Sequence, residues 1–163
     1  MKIGRSKFSH IEFKNHLFGS DNTTYDLTIL SDILEHVEDD TELLQSVSKR
    51  SHLLLFKIPL ELCLTQTKFF YWLTNRIKPP KLEYGHQHCN GHLRGYWLWN
   101  ARKLISKHFE ILDESLSDTE YFYGTPIRKL FRKLFGIRMT ILMFGGAWFG
   151  LARSRHFQKN LSE

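Results

Sequence analysis

The sequence predicts an α/β domain, and three observations carry that prediction. Two short apolar runs, Tyr25 to Ser31 and His52 to Ile58, read as strands. Amphipathic stretches with helical spacing stand between and after them. Strands and helices alternate along the chain, and alternation of this kind builds a sheet with crossover helices. The chain has 163 residues. That suits one domain and hides roughly 70% of the unfolded surface.

Each element has its own warrant. Ile11 and Phe13 alternate around Glu12, the pattern of a short strand in an otherwise weakly patterned lead-in over 1–24. Tyr25 to Ser31 reads as a buried strand. Thr41 to Arg50 reads as a helix with Leu43, Leu44 and Val47 on one face, capped by Asp40 or Thr41. His52 to Ile58 is a continuous apolar run of the kind parallel sheets bury, and Pro59 closes it. Thr65 to Ile77 is an aromatic-rich helix stopped by Pro79 and Pro80. Residues 81–95 form a loop. Trp97 to His108 is helical by the spacing of Trp97, Leu98, Ala101, Leu104 and Ile105. Phe109 to Leu112 is a third strand. Thr125 to Phe135 is the cleanest helix, with Pro126 in its first turn and Gly136 after its end. Its apolar stripe is Ile127, Leu130, Phe131, Leu134 and Phe135. Ala147 to Ala152 reads as a last strand.

Charge and composition narrow the functional classes. Net charge is +6. Residues 21–61 are acidic, and the basic residues gather after 125. Two cysteines, Cys63 and Cys89, make no disulfide framework, so a reducing compartment is the expectation. The longest apolar run, residues 139–151, is too short to span a membrane as a helix. The N-terminus has no signal-peptide core. A cytoplasmic location, peripheral to membrane at most, follows. No recognised nucleic-acid module accompanies the basic charge, so nucleic acid is not an expected partner.

The stretch that asks for chemistry is "YDLTILSDILEHVEDD", residues 25–40. Ligands of open α/β sheets sit at the carboxyl ends of strands. Asp32, Glu35 and His36 follow such an end. The bland alternative is a solvated loop with helix-capping acids. In "HQHCNGH", residues 86–92, His86, His88, Cys89 and His92 are ligand types for zinc, but their spacing fits no established zinc pattern, so no metal is expected. Arg94 can pair with an anionic group or be solvated. In "PIRKLFRKLFG", Arg128, Lys129, Arg132 and Lys133 read as one polar face. The pattern suits a helix packed on a sheet, and it also suits a helix lying on an anionic membrane surface.

"YDLTILSDILEHVEDD", followed by "LLQSV" and "LLLFKIPLE", resembles class I S-adenosylmethionine-dependent methyltransferases, in the broad group whose fourth strand runs into a Leu-Glu-His-Val turn. "GHLRGYWLWNARKLISKHFEIL" resembles the same group further on. The likeness covers roughly residues 7–153. It implies a Rossmann-like methyltransferase sheet with an antiparallel last strand. It also implies S-adenosylmethionine as cofactor and a small or lipid-like methyl acceptor. Carried over, Ser31, Asp32, Ile33 and Leu34 would face cofactor or substrate. Glu35, His36 and His92 would border the pocket as catalytic candidates.

The family's Gly-rich turn after its first strand has no counterpart ahead of Tyr25. The resemblance therefore implies one partial methyltransferase domain over 1–163, incomplete at its N-terminal side, with a recognisable core over 25–153 and a tail over 154–163. Weak cofactor binding by the chain alone follows, together with self-association or a complementing chain. A non-catalytic remnant or a membrane-surface interaction protein is the alternative.

Overall fold

A computed structural model describes residues 23–64, 91–118 and 126–157. These form four strands and three helices: β1 (Tyr25–Ser31), α1 (Asp40–Arg50), β2 (Ser51–Leu60), α2 (Leu98–Ser106), β3 (Phe109–Ser117), α3 (Pro126–Phe144) and β4 (Gly146–Ser154). The expected strand at Ile11 and Phe13 and the helix over 65–77 lie outside the described residues.

The sheet order is β1-β2-β4-β3. β1 and β2 are parallel, with Tyr25 opposite Ser51 and Ser31 opposite Lys57. α1 makes the crossover between them. β4 runs antiparallel to β2 on one side and to β3 on the other. The mixed α/β architecture and the antiparallel last strand both match the expectation.

Local chemistry explains the element boundaries. α1 is capped by Asp39, not by Asp40 or Thr41: the Asp39 carboxylate accepts the Glu42 backbone N–H at 2.8 Å. Acids in its first turn and Lys49 and Arg50 in its last complement the helix dipole. β2 runs past the expected stop, since Pro59 pairs with Ala147 at the strand's far end. β3 also outruns Leu112, because an irregularity between Ile111 and Asp113 shifts the register without ending the ladder. In α3, Gly136 takes φ 77° and breaks the helix into two stretches. The stop at Gly136 was legible, whereas the second stretch was hidden in the apolar run that follows.

The core lies on one face of the sheet. Leu30, Leu54, Phe56, Ile58, Leu60 and Trp148 meet Leu44 and Val47 of α1, Ala101, Leu104 and Ile105 of α2, and Ile141 of α3. Phe56 packs edge-on against Trp148 with ring centroids 4.6 Å apart. The other face differs from the buried-strand expectation. Leu27, Ile29 and Leu55 are exposed, Ile29 at 59%. Their apolar character records a face that no described element covers.

α3 departs further. Most of its expected inward stripe points outward: Ile127, Leu130, Leu134 and Phe135 are exposed, from 57% to 72%, while Phe131 is partly buried against Phe144. Arg128, read as part of the polar face, is buried. Its guanidinium grips Asp118, with Nε donating to Oδ1 at 2.8 Å, and it also donates to the carbonyls of Gly145 at 2.8 Å and Phe144 at 3.2 Å. A desolvated charge with this many acceptors outweighs the periodicity of the stripe, and it fixes which side of the helix faces in. Gly145, at φ 81°, makes the tight turn into β4, where a Cβ would stand 2.7 Å from the Leu60 carbonyl oxygen.

Candidate functional site

The site lies where β1 and β2 end side by side. Ser31 closes β1, and its hydroxyl donates to Asp32 Oδ2 at 3.2 Å. Asp32 has φ 52°, the left-handed region that few residues other than glycine adopt. Lys57 of β2 holds it there: Asp32 N–H donates to the Lys57 carbonyl at 3.1 Å, and Lys57 Nζ donates to Asp32 Oδ2 at 2.6 Å. The strained residue lets the chain leave the strand abruptly. The turn then closes through His36 N–H donating to the Ile33 carbonyl at 2.9 Å. Ile33 faces out, while Leu34 is 1% exposed and belongs to the core.

Glu35 is the unusual residue. It is 1% exposed, and neither carboxylate oxygen has a hydrogen-bond partner among the described residues. Burial pushes its carboxyl above the ordinary range, and the dipole of its own backbone amide and the charge of His36 offset this only in part. His36 Nδ1 donates to the Gly91 carbonyl at 3.1 Å, leaving Nε2 3.8 Å from Glu35 Oε1. The Glu35 carbonyl accepts the Leu93 N–H at 2.7 Å. That bond ties the "GHLR" stretch to the turn. It brings the ring of His92 edge-on to His36, with centroids 4.8 Å apart. His92 Nδ1 lies 2.8 Å from Glu61 Oε1.

The structure thus brings Glu35, His36 and His92 together from distant parts of the chain. Ser31, Asp32 and Ile33 border them, and Leu34 is a packing residue whose carbonyl accepts the Tyr96 hydroxyl at 3.2 Å. Arg94 does not wait for an external anion. It pairs with Asp40 Oδ2 at 2.8 Å, where Tyr96 also donates at 2.6 Å. Burial alone would raise the Asp40 carboxyl, but Tyr96 and Arg94 more than offset it and hold it below its usual range. Burial, with Asp40 beside it, drives the Tyr96 hydroxyl strongly upward. His86, His88 and Cys89 lie outside the described residues.

Sequence reasoning missed Glu61 and Lys57. Glu61 directly follows β2, so the strand-end rule that singled out Ser31 to His36 would have found it too. Chemically, the arrangement offers a buried carboxylate with open lone pairs and two imidazoles within reach. Such a set can move a proton at an acceptor or ligate a cation.

No protein-family profile matches this chain, and no curated protein sequence matches it. Among solved structures it is similar to that of MccD protein, with 13% identity and a TM-score of 0.45. The match covers 86% of this chain and 64% of that one, so the chain spans less than two thirds of that protein's length. A likeness this distant has no bearing on function.

Proposed function

We propose that the chain is part of an S-adenosylmethionine-dependent methyltransferase acting on a small or lipid-like acceptor, and that it works with a complementing segment carrying the Gly-rich turn. The observation that carries this reading is the polar turn Ser31 to His36 at the carboxyl ends of two parallel strands. Ligands bind at that edge in open α/β sheets. The antiparallel last strand supports the same reading. Methyl transfer from a sulfonium is a displacement in which positioning supplies much of the rate. Ser31, Asp32 and Ile33 are the cofactor-side candidates. Glu35, His36 and His92 are placed to orient an acceptor or take its proton. The complementing segment would seat on β1, an edge strand among the described residues, and over the exposed Leu27, Ile29 and Leu55.

Calorimetric titration tests the proposal. The chain alone takes up little S-adenosylmethionine. A protein that joins it to a segment carrying a Gly-rich strand-turn, encoded in frame or by a neighbouring gene, takes up the cofactor and transfers labelled methyl groups. A joined protein that does neither overturns the reading.

A second reading, membrane-surface binding, is favoured by α3. Exposed Ile127, Leu130, Leu134 and Phe135 stand beside exposed Lys129 and Lys133, the composition of an interfacial helix. No helix among the described residues is long and apolar enough to cross a membrane. An apolar cleft of about 260 Å³ opens beside the second stretch of α3, lined by Trp97, Leu98, Met139 and Leu142, with Arg138 among its lining. It reaches Leu60 and Leu62, which flank Glu61. The two readings converge on a lipid-like acceptor.

A further inference from the structure

We infer that Glu35, His36 and His92 form a binding site for a divalent transition-metal ion of the zinc class. One ligand-type atom from each residue lies within 4.8 Å of the others. In a tetrahedral zinc site, ligand atoms about 2.0–2.2 Å from the metal stand about 3.4 Å apart. The trio therefore needs only a small inward rotation, which half-exposed His36 can make.

Two independent features separate this trio from a chance cluster. The first is Glu35, buried with both oxygens unpartnered among the described residues. A bare buried carboxylate is costly, and a bound cation removes the cost. The second is the way each imidazole is held. His36 donates its Nδ1–H to the Gly91 carbonyl, which fixes the tautomer with its Nε2 lone pair toward Glu35. His92 Nδ1 stands 2.8 Å from Glu61 Oε1, so a carboxylate lies against this ring as well. Histidines that bind metals are oriented in this way, by a carbonyl or carboxylate behind the ring. Two imidazoles and one carboxylate leave a coordination position open. A zinc ion with an open position acts as a Lewis acid on an oxygen that reaches it. The ligand set differs from what the sequence suggests: His92 takes its neighbours from the β1 turn, 56 positions away at His36, not from its own histidine-rich stretch.

Metal binding is measured without S-adenosylmethionine, so its outcome is separate from that of the methyl-transfer reading. Tag-free chain, stripped with chelator, is titrated with Zn²⁺ by calorimetry and with Co²⁺ by visible absorption. One ion per chain is expected, with cobalt bands of a low-coordinate nitrogen and oxygen site. Glu35→Gln, His36→Gln and His92→Gln each weaken binding at least tenfold. Glu61→Gln, which acts only through His92, weakens it ten- to a hundredfold. His108→Gln, at the opposite end of the sheet, leaves it unchanged. Circular dichroism establishes that each variant is folded, and Zn²⁺ raises the melting temperature of the parent but not of Glu35→Gln. The inference is overturned by a parent that binds neither ion. It is equally overturned by folded variants that bind as the parent does, or by binding lost in a His86→Gln, His88→Gln, Cys89→Ser chain and kept in Glu35→Gln.

Discussion

Two buried carboxylates stand at the same end of the sheet, one beyond each edge strand, and their surroundings differ. Asp118 is closed in by Arg128, with Arg132 3.9 Å from its second oxygen, and the Arg128 guanidinium reaches two backbone carbonyls besides. Glu35 is as deeply buried but has no hydrogen-bonding partner among the described residues for either oxygen. The first centre joins α3 to the start of β4 through Asp118 Oδ1, while Oδ2 has a cation near it but no hydrogen bond among the described residues. The second is a charge kept out of water with its lone pairs open. The contrast separates a charge that serves the architecture from one that the fold tolerates at a cost. A tolerated cost at a strand's carboxyl end is where function is expected.

Breaking the paired centre has the largest expected effect. Arg128→Leu leaves Asp118 buried without its main counter-charge, and removing one partner of a buried pair costs about 3–5 kcal/mol. Urea denaturation of the two proteins measures it. A loss under about 1 kcal/mol would mean that the pair does not hold α3 to the sheet. The opposite sign is expected at the open centre. Glu35→Leu removes an unsatisfied buried carboxylate and keeps much of its volume, so the metal-free chain should gain about 1–3 kcal/mol. A destabilised Glu35→Leu chain would show that the carboxylate has a partner after all, and the contrast between the two centres would fail.

Asp40 sharpens the comparison from between these extremes. It is satisfied, by Tyr96 and Arg94, and partly exposed. Its carboxyl is held below the usual range. The stability it contributes is therefore present above the ordinary aspartate pKa of about 3.9 and is lost as pH falls through the lowered value. Asp40→Asn should cost about 1–2 kcal/mol at pH 7, and the two proteins should converge in strong acid. Denaturation midpoints taken from pH 7 downward test this. A cost that persists in acid would assign the effect to lost packing and not to the charge.

Much of this was legible in the sequence, for identifiable reasons. Two short apolar runs, Tyr25 to Ser31 and His52 to Ile58, with one amphipathic helix between them suit a parallel pair. Gly136 marks a real break because it takes a positive φ. The turn at Ser31 to His36 was visible because strand ends collect ligands. Periodicity did not reveal how the elements face. β1 and β2 are apolar on both sides, yet one side is exposed, because hydrophobic pattern records what a face is suited to meet and not whether it meets it. The stripe of α3 misled for the same reason: Arg128 supplies a specific long-range partner that no local period encodes. The trio at Glu35, His36 and His92 depends on one backbone bond, Leu93 to Glu35, which joins segments far apart in sequence.

The smallest expected effects on stability belong to the outward stripe of α3, and they set it apart from both buried centres. Leu130→Ser and Leu134→Ser alter exposed positions, so unfolding free energy should stay within about 0.5 kcal/mol of the parent. Had the stripe packed on the sheet, each would cost several times that. The same substitutions should weaken sedimentation with anionic vesicles, because apolar contact provides part of interfacial binding. Lys129→Gln and Lys133→Gln should each remove about 1 kcal/mol of that binding. Raised salt should act in the same direction, since exposed charges are screened over about 10 Å at 0.1 M. Arg128 is left intact in this series, because its charge is committed to Asp118. Vesicle binding unchanged by all four substitutions, or absent from the parent, would remove the membrane role. A large loss of stability on Leu130→Ser would return the stripe to the core.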